Sequence, residues 1–173
     1  MLELEAVIVA DSGPLIGLGK IGRLELLRQL ARSVVIPGPV WREVVEAGGG
    51  RVEAEEVRRL FSADVVEPEA SLVDAYRLFL GAGEASALAL AAGRPNALLL
   101  MDDARARRIA AAQGFRCLGS IGLLLRAKKH GYLVAIGPEI QALRRCGIFL
   151  GDEIVAQVLR AAEEDGRKAE DGD

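Results

Sequence analysis

The sequence predicts an α/β fold, a three-layer α/β/α sandwich around a central, mainly parallel sheet of about five short strands. Three observations lead there. Short β-rich apolar runs alternate with helix-length segments along the whole chain. The run LLLM at 98–101 has no polar face, as expected of a strand buried on both sides by flanking helices. Several runs also end in Asp, Gly or Pro just before a helical pattern begins, giving repeated strand-to-helix units with right-handed crossovers.

The first unit is Val7 to Ala10, closed by Asp11, with Ser12, Gly13 and Pro14 opening a helix. That helix runs to about Leu30 and should fall into two pieces, because Gly17, Gly19 and Gly22 weaken its first half. Val34 to Ile36 is the second strand; Pro37, Gly38 and Pro39 turn it into a helix stopped by Gly48, Gly49 and Gly50. A charged amphipathic helix spans Val52 to Ser62, followed by a weak strand at Val65 and Val66 and a helix near Glu69 to Leu80. Gly81 and Gly83 precede an Ala/Leu helix, Glu84 to Ala92, and Gly93, Arg94 and Pro95 end it before the 98–101 strand. A helix from Ala104 to Gln113 stops at Gly114, Arg116 to Leu118 is the last strand, and helices at 121–130, 139–145 and 152–163 complete the pattern. The expected organisation is one domain over 1–150, a helix at 151–165 packed on it, and a polar tail at 166–173 that is too glycine-broken to pack.

With 173 residues, 51% hydrophobic and 27% charged, the chain can bury a sizeable core. Cys117 and Cys146 have no metal-ligand spacing and indicate no disulfide framework, which fits a reducing cytoplasm. The amino terminus has no basic leader, and the apolar stretches are cut by Asp11, Glu84, Arg94 and Pro95, so no membrane span is expected. The net charge of −3 is unevenly spread: residues 163–173 carry −4, leaving the body near neutral. Residues 104–138 hold no acid but seven cations, Arg105, Arg107, Arg108, Arg116, Arg126, Lys128 and Lys129. That run is either ordinary solvated helix surface or a footprint for a phosphate backbone.

Carboxylates collect at element ends. If the first and fourth strands are neighbours, their carboxyl ends bring Asp11 and the Asp102/Asp103 pair to the point where strand order reverses, the usual ligand position in such sheets. Each acid has a plain structural reading as well. Asp11 and Asp103 are good helix caps. Glu43 sits at the edge of the apolar arc of its helix and reads as solvated. Glu84 suits a helix first turn, yet shares a face with Leu88 and Ala91, where an unpaired carboxylate is costly. One cap cannot occupy both Asp102 and Asp103. His130, the only histidine, sits at a helix end, which leaves little basis for a Ser/His/Asp triad. An all-oxygen set suits Mg²⁺ or Mn²⁺, ions that commonly act on phosphates. Neither a P-loop nor a GxGxxG motif is present.

Four stretches, VIVADSGPLIGLGKIGRLELL at 7–27, VVIPGPVWREVV at 34–45, GEASALALA at 83–91 and LLLMDDARARRIAAAQGF at 98–115, resemble the PIN domain, the fold of VapC-type toxins and other metal-dependent ribonucleases. With LGSIGLLLRAKKHGYL at 118–133, the last is similar to a branch of short prokaryotic PIN-like proteins. The resemblance implies hydrolysis of single-stranded RNA, with Asp11, Glu84 and Asp103, and Asp102 beside it, holding Mg²⁺ or Mn²⁺ and Glu43 orienting water. Spacing to Gly114 favours Asp103 over Asp102 as the fourth family acid. Ser12, Arg105, Arg108, Arg126 and Lys128 would contact RNA. Gly13 replaces the family's frequent hydroxyl residue, and Glu84 stands where many members have aspartate. An antitoxin partner and a homodimer are implied too; the rival reading is a PIN-like module that binds RNA or protein without cleaving.

Overall fold

A computed structural model of the chain describes residues 6–164. The polar tail expected at 166–173 lies outside the described residues. Five strands form one parallel sheet: β1 Val7–Ala10, β2 Ser33–Pro37, β3 Val65–Val66, β4 Leu98–Leu100 and β5 Arg116–Leu118. Their order is β3-β2-β1-β4-β5. The chain winds outward from β1 in one direction and from β4 in the other, so the order reverses between these two central strands. Val9 pairs in register with Leu99, and Ala10 with Leu100.

Side chains on each strand alternate between two cores, as the period of two requires. Ile8, Ala10, Val34, Ile36, Leu98 and Leu100 face one core. Val9, Val35, Leu99 and Met101 face the other. This double burial is why the LLLM run has no polar face. The first core is closed by α1 Ser12–Lys20, α2 Glu25–Leu30, α3 Gly38–Trp41, α4 Val52–Phe61, α8 Ser120–Lys129, α9 Gly137–Arg145 and α10 Asp152–Ala161. Leu15, Leu27, Val40, Phe61, Leu124 and Leu143 are among their buried contributions. The second core is covered by α6 Ala82–Ala92 and α7 Ala104–Ala112, with Tyr76 of α5 Ala70–Arg77 and Leu80 packed at its edge.

The glycine-weakened first helix does divide, into α1 and α2. Arg23 in the connection sends Nε and Nη2 to the two oxygens of Glu139 at 3.0 and 2.7 Å, tying the break to α9. A regular helix expected from Pro39 is instead α3 followed by a π-helical segment, Arg42–Glu46. Its signature is Ala47 N–H donating to the carbonyl of Arg42 at 2.8 Å, one residue beyond the α-helical spacing. The segment keeps Val44 and Val45 buried and leaves Glu43 exposed.

The α10 helix packs on α8 and is stapled at its end by Glu164. One Glu164 oxygen accepts from Lys128 Nζ at 2.6 Å and from Ile136 N–H at 2.8 Å; the other accepts from Gly137 N–H at 2.8 Å. Burial pushes the Glu164 carboxyl up, but Lys128 and the two N–H groups together hold it below the usual carboxylate range. No helix among the described residues is long and apolar enough to cross a membrane.

Candidate metal centre and phosphate cleft

Asp11 is the residue immediately after β1, and its position is fixed by its own N–H donating to the carbonyl of Leu100 at 2.9 Å. The ladder continues on the other side of β4, where Met101 N–H donates to Leu118 at 2.9 Å. Asp11 and Asp102 therefore leave adjacent strands at the carboxyl edge, at the point of reversed order. Asp11 occupies the cap position of α1 without making a side-chain capping bond, so its plain structural reading fails. It is 6% exposed, and its Oδ1 is buried with no hydrogen-bond partner. An unpaired polar atom in such a place is costly unless something neutralises it.

Burial raises the Asp11 carboxyl from 3.8 to about 7; the N–H of Ser12 pulls it down, and Glu84, Glu43 and Asp102 push it further up. Three carboxylates from three separate elements thus act on a fourth. Packing of α3 against α6 brings two of them in. The close approach is made possible by Gly83 in α6: a Cβ there would fall 2.9 Å from Asp11 Oδ1 and 3.6 Å from Glu43 Oε2. Gly81 plays a similar part for Glu84, whose Oε2 would lie 2.5 Å from a Cβ at that position.

The two acids after β4 have different engagements. Asp103 Oδ1 accepts from Ala106 N–H at 2.7 Å and caps α7, the plain reading of that residue. Asp102 reaches across to the start of α8, accepting from Ser120 N–H at 2.7 Å and from Ser120 Oγ at 2.6 Å. The helix amino end favours the negative charge there. Gly119 is flanked by this carboxylate and by a guanidinium, since a Cβ on it would stand 3.1 Å from Asp102 Oδ1 and 3.0 Å from Arg107 Nη1. Spacing favours Asp103 as the site acid; side-chain engagement puts Asp102 in the field of Asp11.

Glu84 and Asp103 line an open cleft of about 400 Å³ with Arg77, Phe79 and Arg105. Arg108 is exposed one turn further along α7, and half-buried Ser12 begins α1 beside Asp11. Two expected RNA contacts are placed elsewhere. Lys128 gives its ammonium to Glu164 and to the carbonyl of Ala162, both at 2.6 Å. It lies about 12 Å along the α8 axis from Ser120. Arg126, two residues nearer on the same helix, lines a small cavity with Ala6, Ile8 and Leu98 at the amino ends of β1 and β4, the opposite rim of the sheet. Continuity of the basic run in sequence is not continuity in space, because the run passes through α7, β5 and α8. Reasoning from sequence also missed Ser120, Arg77 and Phe79 as site residues, and saw in Gly83 only a helix boundary. Ser120 could have been found from its place two residues after the last strand, at the same sheet edge as the acids.

Among the described residues no three acids close into a preformed metal-binding cluster. The donors nevertheless fit a hard divalent cation: they are all oxygens, one is buried and orphaned, and its neighbours are of like charge. Mg²⁺ in particular is usually held by one or two carboxylates with several waters, which an open set permits.

Neither the curated proteins nor the solved structures provide a match to this chain. A family model described as PIN domain, DUF3368, matches residues 7–164, nearly the whole described chain. PIN domains are nuclease-type folds that typically use divalent metal ions. Strand order, the acids at the switch point and this match agree, and the chain belongs to the PIN-domain family.

Proposed function

We propose that the protein is an endoribonuclease that hydrolyses phosphodiester bonds of single-stranded RNA in the presence of Mg²⁺ or Mn²⁺. The observation that carries this reading is the buried, partnerless Oδ1 of Asp11 at the sheet's switch point, in the field of Glu84, Glu43 and Asp102. Asp11, Glu84 and Asp102 would hold the ion, with Asp103 at the outer edge beside Glu84. A divalent ion bound there supplies Lewis-acid polarisation of a phosphoryl oxygen and a more acidic water.

The chain's own residues do the rest. Ser120 fixes both oxygens of Asp102, which orients a carboxylate that would otherwise rotate freely. Exposed Glu43, held on the widened helical turn, orients the attacking water and accepts its proton at a carboxylate oxygen. Arg105 and Arg77, which both line the cleft, meet the phosphates on either side of the reacting one. Attack of water on phosphorus breaks one P–O bond and leaves a phosphate monoester and a hydroxyl.

Purified protein is expected to cleave single-stranded RNA with Mn²⁺ or Mg²⁺ and to stop on addition of chelator. Asp102→Asn should lose more activity than Asp103→Asn, since the second residue has the capping bond as its main engagement. Equal losses in two folded variants would return the pair to joint use. No cleavage of any RNA with either metal would leave a non-catalytic binding module. A protein antitoxin and a homodimeric state belong to the same proposal, measured by co-purification with the product of an adjacent small gene and by light scattering.

A further inference from the structure

The cleft beside the acids has an apolar lip that the hydrolytic chemistry does not use. Between α5 and α6, Leu78 and Phe79 are 77% and 57% exposed. The turn that carries them is well anchored: Phe79 N–H and Leu80 N–H both donate to the carbonyl of Tyr76, at 3.0 and 3.1 Å. Tyr76 and Leu80 pack on the second core. Phe79 is therefore held out by fixed backbone rather than by a loose loop. It lines the same cleft as Glu84 and Asp103. Arg77 and Arg105 line it too, and neither has a hydrogen bond or ion pair among the described residues.

We infer that Phe79, with Arg77 and Arg105, forms a subsite for one unpaired nucleotide next to the scissile phosphate, the ring stacking on the base and the guanidiniums meeting the adjoining phosphates. This rests on the nuclease reading and adds to it a physical reason for single-strand preference. Every base has a π-face, so stacking tolerates any sequence. A duplex keeps those faces covered by neighbouring bases, and Phe79 could reach one only by unstacking it. A single exposed phenylalanine is ordinary on a protein surface. Here it shares a cleft of about 400 Å³ with two arginines that have no ion pair among the described residues and with two of the candidate site's acids. That combination matches a nucleotide's aromatic face and its charged backbone at once.

The test uses the full chain and a single-stranded RNA 12-mer with one 2-aminopurine, whose fluorescence falls on stacking. In chelator, wild-type protein should quench the probe; Phe79→Ala should bind about tenfold more weakly or worse without quenching, and Phe79→Trp should restore both. With Mn²⁺, Phe79→Ala should raise KM for the single strand by a similar factor with kcat little changed, and narrow the preference over a hairpin duplex. Thermal melting of both variants should match wild type, because the side chain is exposed. If Phe79→Ala cleaves and binds like wild type, the subsite is overturned and the nuclease reading stands. If wild type cleaves nothing but Phe79-dependent quenching persists, the nuclease reading falls and the subsite stands. Absence of both overturns both.

Discussion

Asp11→Asn is expected to reduce RNA cleavage by at least about 100-fold, since removing even an outer-shell partner of a metal ligand typically costs 10–100-fold. The same substitution should stabilise the metal-free protein at alkaline pH. The sign follows from the direction of the shift. In the folded chain the Asp11 carboxyl is raised from 3.8 to about 7 by burial and by the neighbouring acids. Its contribution to stability is therefore fully present below the unfolded value and is lost as pH rises through about 7. Above that, the folded state carries a buried carboxylate that the unfolded chain solvates, a difference of up to about 4 kcal/mol. Asparagine removes the charge at similar volume. Melting curves of the two proteins in chelator should converge near pH 4 and separate towards pH 8, with the variant higher. Adding Mn²⁺ should raise the wild-type melting temperature at pH 8 much more than at pH 5, and the variant should respond weakly at both. Parallel curves for the two proteins across that range would show that Asp11 has no raised carboxyl.

Gly83→Ala should disable the site from a residue that binds nothing. The added methyl would arrive 2.9 Å from Asp11 Oδ1 and 3.6 Å from Glu43 Oε2. Asp11 is short and buried, so it cannot swing aside as a long surface chain would. Helix α6 itself should tolerate alanine, which has the higher helical propensity. The expected result is a folded protein with about 100-fold lower kcat, the size of loss that follows an ångström-scale displacement of a catalytic group. Circular dichroism and melting check the fold, and single-turnover cleavage checks the site. Wild-type activity in Gly83→Ala would mean that Asp11 and Glu43 do not act through the space above α6.

The fold was largely readable because its signals are local and redundant. Burial on both faces leaves LLLM without polar residues, and glycine or proline marks most element ends. The π-helical turn at Arg42–Glu46 was not readable, because one extra residue per turn leaves Val40, Val44 and Val45 still buried and changes only where Glu43 is carried. The candidate site was readable as a set of acids at element ends but not as a geometry. Asp102 and Asp103 are identical side chains one residue apart; Asp103 caps the helix that follows it in sequence, whereas Ser120, the partner of Asp102, is brought in only by tertiary packing. The basic run misled for a related reason. Arg105 lines the cleft, whereas Lys128, in the same acid-free segment, is committed to Glu164 at the far end of α8.

On the proposed reading, Asp11, Glu84 and Asp102 converge on one divalent cation. Anomalous diffraction from a crystal soaked in Mn²⁺ tests it most directly. A peak is expected within about 2.2 Å of Asp11 Oδ1, the metal–oxygen distance of small hard divalent ions, with oxygens of Glu84 and Asp102 bound directly or through one water. Full Mn²⁺ occupancy elsewhere with Asp11 Oδ1 left bare, or a peak held by Asp103 and Glu84 alone in the outer cleft, would contradict it.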